Sequence, residues 1–195
     1  GYAPAKVDNT FSMNFDAASS NYISTNHVRL GSTYSISLWF NATTFPSTNP
    51  VLISQYVNGA AGRFFIGVRD NGGRKITAFS AGHNYGSTVI STGQWHNLVL
   101  VSSNNAVTLY LNGSVDGNFT FSSAPPDTNI LIGSLDTTPS NTWDGKIDEV
   151  AIFDYALTDK QIKEDIYNAS KDGKTADLSN NSNLTAPVAW YRMGD

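Results

Sequence analysis

Short runs of alternating apolar and polar residues, broken by Gly, Asn and Asp turns, recur along the chain. In YSISLWFN (34–41), Ile36, Leu38 and Phe40 fall on one face and Ser37, Trp39 and Asn41 on the other. That period of two is the mark of a half-buried strand. FSMNF (11–15) likewise sets Phe11, Met13 and Phe15 on one side. Further strands are predicted at 51–56, 63–69, 75–80, 95–102, 106–113, 117–121, 129–134 and 146–154. Asp70-Asn71-Gly72-Gly73 predicts a hairpin, because these residues tolerate the positive φ of tight turns, and Asn112-Gly113 predicts another. AGHNYGS (81–87) reads as a loop.

One segment changes period. Thr158 with Gln161 three residues on fits a capping box, Ile162 and Ile166 give an apolar stripe, and Gly173 closes the helix. TADLSNNSNLT (175–185) is a polar connector, and VAWYRM (188–193) either returns as a strand or opens a following domain. Some ten strands and one helix predict an all-β protein: a two-sheet antiparallel sandwich with one short C-terminal helix. The domain spans 1–174, with 175–195 as connector and terminal strand.

Composition narrows the functional classes. Only 14% of the 195 residues are charged, well below the usual quarter, so Ser, Thr, Asn and Gly build the polar surface, as in extracellular or virion β-proteins. A net charge of −4 without a basic stripe argues against nucleic acid, and no run approaches the roughly 20 apolar residues of a membrane span. Cysteine is absent, which removes disulfides and thiolate metal sites. The opening GYAPAKVD is no signal peptide, and the chain reads as a piece of something longer. Its acids are fourteen Asp and two Glu.

Four stretches carry a resemblance: NFDAASSNYI (14–23), YSISLWFNAT (34–43), GQWHNLVLVSSNNAVTLYLNG (93–113) and DGKIDEVAIFDYALTDKQI (144–162). Together they resemble the laminin-G-like, concanavalin A-like lectin/glucanase superfamily, whose fold is a jelly-roll sandwich. The resemblance covers roughly 11–170. In such families a structural calcium is commonly held where the opening strand meets the penultimate one. The resemblance therefore implies Asp16 and Asp148 as Ca2+ ligands, helped by carbonyls of the 16–21 loop, with Asp144 a weaker candidate. The plainer alternative has Asp16 capping a turn and Asp148 accepting backbone hydrogen bonds. The family glycine after the first Asp is Ala17 here, and its Asp-Asp pair reads Ser20-Asn21, which weakens the loop as a metal cradle. The closing AWYRMGD resembles a tail found around such domains in marine phage structural proteins.

The pair Asp148-Glu149 also raises catalysis. A glycosidase sets two carboxyl groups about 5–5.5 Å apart for retention or roughly 6.5–9.5 Å for inversion. Strict alternation sends Asp148 to the side of Val150 and Ile152, and Glu149 to the side of Ile147, Ala151 and Phe153, so the two would not flank one bond. The Glu-x-Asp-x-x-Glu motif of the superfamily's glucanases is absent. A lectin site instead needs aromatics for sugar faces and polar groups for hydroxyls. His83, Asn84, Tyr85 and Arg74 supply these around one hairpin, with Trp39 and Trp143 as a possible platform, although sandwich tryptophans are usually core. The expectation is a non-catalytic, lectin-like module that binds a surface glycan or polysaccharide, with structural calcium. The alternatives are a structural or adhesion domain packing against neighbouring virion or extracellular domains, and, third, a glycoside hydrolase.

Overall fold

The computed structural model describes residues 6–47, 49–56, 63–170 and 174–193. Among them two antiparallel sheets face each other. One has seven strands: β2 (Met13–Phe15), β4 (Tyr34–Ala42), β9 (Trp95–Ser103), β10 (Ala106–Leu111), β11 (Ser114–Thr120), β13 (Gly145–Phe153) and β15 (Ala189–Tyr191). Its order is β11-β10-β9-β4-β13-β15, with β2 also on β13. The other has six, in the order β3 (Ile23–His27), β12 (Asn129–Ile132), β5 (Val51–Gln55), β6 (Phe64–Asp70), β7 (Arg74–Ser80), β8 (His83–Val89). A short ribbon of β1 (Lys6–Asp8) and β14 (Lys174–Ala176) stands beside them.

Alternation builds the core. Ile36, Leu38, Phe40 and Ala42 of β4 meet Leu52, Phe64, Ile66, Val68, Ile76 and Ile132 of the opposite sheet, all of them buried. Each large aliphatic or aromatic side chain so enclosed contributes about 1.5–3 kcal/mol. Trp143, a candidate sugar platform, is fully buried in this core, edge-on to Phe40 at 5.7 Å and Phe45 at 6.5 Å. It packs the sandwich and presents no face to a ligand. At one margin, Asp116 of β11 fastens the two sheets: its carboxylate accepts from Ser87 Oγ, Thr88 N and Thr88 Oγ1 of β8 at 2.6–2.9 Å.

Helix α1 (Gln161–Tyr167) lies on the outer face of the seven-stranded sheet, where Leu157, Ile162, Ile166 and Ala169 cover Val99, Val101, Ala151 and Phe153. Its entry is the expected reciprocal cap. Thr158 N donates to Gln161 Oε1 at 2.9 Å, and Gln161 N donates to Thr158 Oγ1 at 3.3 Å. The winding is wider than an α-helix, Asn168 N bonding Lys163 O five residues back. Gly173, the expected stop, lies outside the described residues.

The structure departs from the sequence pattern at two places and decides a third that the pattern left open. Residues 83–89 form an edge strand, not a loop; only Gly86 on it is buried, so the strand lacks an apolar rhythm. Phe11 and Met13 are exposed at 62% and 40%, and only Phe15 of that trio enters the core. β15 pairs with β13 (Val150 with Tyr191, Ala151 with Trp190), so residues 189–191 return as an edge of this sandwich.

Candidate functional site

The outer face of the seven-stranded sheet is divided. Helix α1 covers one half. The other half is lined by Trp39 of β4, Trp95 of β9, and Lys146 and Asp148 of β13. Residues 9–12 on one side, and Ser170 with Lys174 and Thr175 on the other, wall this half into a cleft of ≈ 360 Å³. Trp39 stacks on Tyr167 of the helix at 5.9 Å, which fixes its ring, while Trp95 is 41% exposed.

The floor depends on a β-bulge. Asp148 pairs with Trp39 but Ala151 with Ser37, so β13 carries one extra residue there, and Glu149 sits at φ 52°. Ile147 and Val150 both face the core, whereas Asp148 and Glu149 both line the cleft. The separation of the two carboxylates expected from strict alternation is therefore wrong. The extra residue resets the period between them.

Both acids are buried (6% and 5% exposed) and tied to the chain's two ends. Asn9 Nδ2 donates to Asp148 Oδ2 at 2.9 Å and to Glu149 Oε1 at 2.8 Å. Glu149 N donates to Asp148 Oδ1 at 2.8 Å, and Trp190 Nε1 donates to Glu149 Oε2 at 2.6 Å. Arg192 Nε lies 3.6 Å from Glu149 Oε1. Burial pushes the Glu149 carboxyl up to about 7; the Trp190 hydrogen bond and Arg192 oppose the rise, and the Asp148 charge adds to it.

Of the three residues expected to hold calcium, Asp148 is set apart from Asp16 and Asp144. Phe15 pairs with Gly145 and Met13 with Ile147, so Asp16 continues toward Asp144, and Asp148 lies four residues further along, roughly 13 Å at about 3.3 Å per residue. Asp16 caps a turn, accepting from Ala18 N at 2.9 Å and Ser19 Oγ at 2.7 Å, and these bonds lower its pKa. Asp144 accepts from Thr44 Oγ1 at 2.6 Å. Among the described residues no three His, Asp or Glu groups converge as a metal cage. An ion shared by Asp16 and Asp148 does not fit this arrangement.

The six residues expected to hold sugar are dispersed too. Trp39 lies in the cleft and Trp143 in the core. His83 and Tyr85 stand on the outer face of the six-stranded sheet, their rings stacked 6.0 Å apart. Asn84 pairs with Ala78, whose side chain enters the core, so it points to the opposite side of β8. Arg74 leaves the other way as well, over the Phe45 ring at 5.3 Å and to Ser47 O at 3.1 Å. His96, expected to be structural, is buried against Phe40 at 5.4 Å. The reading of the sequence did not find Asn9, Phe11, Trp95 or Lys146 as cleft residues. Trp95 lies in GQWHNLVL (93–100), but nothing local says that its ring faces outward.

A family model of the concanavalin A-like lectin/glucanases superfamily, the laminin G-like type, matches residues 16–163. The chain belongs to this superfamily. Five strands within or overlapping the matching stretches, β2, β4, β9, β10 and β13, all lie in the seven-stranded layer. No curated protein sequence matches the chain significantly. Among solved structures it is similar to a putative carbohydrate binding protein from Bacteroides ovatus (TM-score 0.71, 16% identical, covering 97% of this chain and 53% of that one). The chain thus spans about half the length of that protein. It is also similar to domain 4 of AbnA, a GH43 extracellular arabinanase from Geobacillus stearothermophilus, in complex with arabinotriose (TM-score 0.61, 22% identical, 84% and 81% covered). A heptameric SAP-like pentraxin from Limulus polyphemus shares the fold as well (TM-score 0.59, 15% identical, 73% of each covered). Among the described residues no helix is long and apolar enough to cross a membrane.

Proposed function

We propose that the protein is a carbohydrate-binding domain that seats a glycan chain in the cleft over Asp148 and Glu149 and does not cleave it. One observation carries this reading. Exposed aromatic rings (Trp95 and Phe11) stand over a floor of buried, hydrogen-bonded polar groups in a cleft the size of a short saccharide. Ring faces match the apolar faces of sugars, while Lys146, Thr10 and Ser12 offer partners for hydroxyls. The carbohydrate-binding protein and the arabinotriose-bound domain among similar folds support the ligand class, and the second belongs to an extracellular enzyme, which supports an extracellular setting.

Binding is favoured over hydrolysis by how the acids are held. Each of the four oxygens of Asp148 and Glu149 accepts one bond from the chain, which holds both carboxyls in the floor of the cleft rather than extended toward a glycosidic bond. The second glutamate, Glu164, is exposed on the helix 4.0 Å from Lys160. Catalysis is thus disfavoured by how the carboxylates are held, not by their facing apart.

The test is titration calorimetry against linear neutral oligosaccharides, arabino-, gluco- and manno-configured, with product analysis. Saturable binding without new reducing ends is expected, and Trp95→Ala should weaken it roughly tenfold or more, about 1.4 kcal/mol. Silence across the panel from folded protein would overturn the reading in favour of a packing module, and released sugar would overturn the non-catalytic part.

A further inference from the structure

The opposite face of the sandwich holds a second cluster, which the cleft does not use. On β6, Phe64, Ile66 and Val68 point into the core, so Phe65 and Arg69 point outward. On β7, Lys75, Thr77 and Phe79 share that outer side, because Ile76 and Ala78 are core. Cross-strand register sets Arg69 directly beside Lys75, Phe65 beside Phe79, and Thr77 beside Tyr85. His83 packs against Phe79 at 5.0 Å and stacks on Tyr85 at 6.0 Å. Over the buried Phe65 and Thr77, an aromatic step and two partly exposed cations therefore share this outer side of the sheet.

The guanidinium is held in an informative way. Arg69 Nη1 donates to Asn49 Oδ1 at 2.8 Å and to His83 Nε2 at 2.9 Å. Arginine can only donate, so His83 Nε2 must accept, and the ring proton sits on Nδ1, from which it donates to Thr77 Oγ1 at 3.1 Å. Burial and the Arg69 charge both lower the pKa of His83, which keeps it neutral and able to accept at neutral pH. Both hydrogens of Nη1 are thus used to fix the group. The Nε and Nη2 edge, which meets a carboxylate or sulfate with two parallel bonds, has no partner among the described residues. Lys75 is likewise half-exposed and in no ion pair among the described residues, whereas Lys174 and Lys160 each lie within 4.0 Å of a carboxylate.

We propose that this face is a second saccharide site, selective for acidic sugars bearing carboxylate or sulfate groups, in which Arg69 grips the anion, Lys75 adds charge, and Tyr85 supports the ring. Charge complementarity selects the occupant. The chain as a whole carries −4, so a local cation pair fixed in geometry and lacking an acid partner is directed at a discrete anion. The site lies on the outer surface of the other sheet from the cleft, so one domain would hold two glycan segments, one neutral and one acidic.

The test uses the intact domain and three probes: an oligogalacturonate, a sulfated galactan oligomer, and polyaspartate of equal charge. Saturable binding of an acidic saccharide that weakens with added salt is expected, the uronate and sulfate arms showing which anion fits better. Arg69→Lys keeps the charge but loses the fork and should weaken binding about tenfold. Lys75→Gln, at a half-exposed position, should weaken it several-fold without affecting the fold. Tyr85→Ala should weaken the saccharides but not polyaspartate. Trp95→Ala should leave acidic binding intact while lowering neutral binding, so the two sites fail independently. No acidic binding from folded protein, acidic binding lost with Trp95→Ala but not with Lys75→Gln, or polyaspartate binding as tightly as the sugars would each overturn the proposal.

Discussion

Glu149 is buried with one acid beside it, and its carboxyl is raised from 4.5 to about 7. A carboxyl raised on folding holds its proton in the folded chain at pH values where the unfolded chain has lost it. Its contribution to stability therefore falls as pH rises from about 4.5 to about 7, and is level outside that window. His83 and His96 are both lowered by burial and act in the opposite sense, gaining stability as pH rises toward 6.5. The informative quantity is accordingly a difference. Denaturant melts at pH 5 and pH 8 should show Glu149→Gln losing less stability, or gaining more, than the wild type between the two. Equal changes would mean that Glu149 is ionised throughout. At this scale the sequence was legible in part. It marked Asp148-Glu149 as unusual, but side-chain direction depends on the neighbouring strand. Trp143 and Trp95 look alike in a string of letters; one is core and the other is 41% exposed because of what packs above them.

Gly145 opens β13 at φ +136°, and a Cβ there would stand 2.1 Å from the backbone oxygen of Asn41. The close approach lets β13 register against β4 and β2 at once, since Gly145 pairs with Ala42 and with Phe15. Asp144-Gly145 reads as an ordinary turn in the sequence, yet the glycine is fixed by backbone on both sides. Gly145→Ala should cost on the order of 3 kcal/mol in a urea melt, from strained φ and overpacking together. A loss under about 0.5 kcal/mol, the ordinary range for a surface substitution, would show that the strand end yields easily. Elements with strong local signals were readable: β4 from its alternation, the 70–73 hairpin from its glycines, and the helix start from Thr158 and Gln161. β8 was not, because an edge strand with one sheet neighbour and exposed Ser87, Thr88 and Val89 needs no apolar rhythm. Nor was the bulge, since an extra residue exists only relative to a partner strand.

At the scale of the whole molecule, the acid pair binds the chain's two ends to its central sheet: Asn9 comes from the N-terminal side, Trp190 and Arg192 from the C-terminal side. The calcium expectation is tested at this level. With Asp16 and Asp148 four register positions apart and both already hydrogen-bonded, Asp148→Asn should leave any difference between the melting temperatures in calcium and in chelator unchanged. An ion held at 100 times its dissociation constant would stabilise by about 2.7 kcal/mol, so a real site would show. A fall under chelator that Asp148→Asn abolishes would restore the shared ion.

Periodicity, turn residues and the four family stretches determined a two-sheet antiparallel sandwich with a helix after the last long strand, because each of those signals is local and repeats at short range. Tertiary structure decided where ligands meet the fold. Sugar-binding chemistry expected on one hairpin is divided between two faces and the core, and two acids expected on opposite sides share one floor. The physical reason is the same in both cases: a strand's pattern says that its sides differ, but which side is covered, and where the alternation slips by one, is set by the strands, helix and chain ends that pack against it.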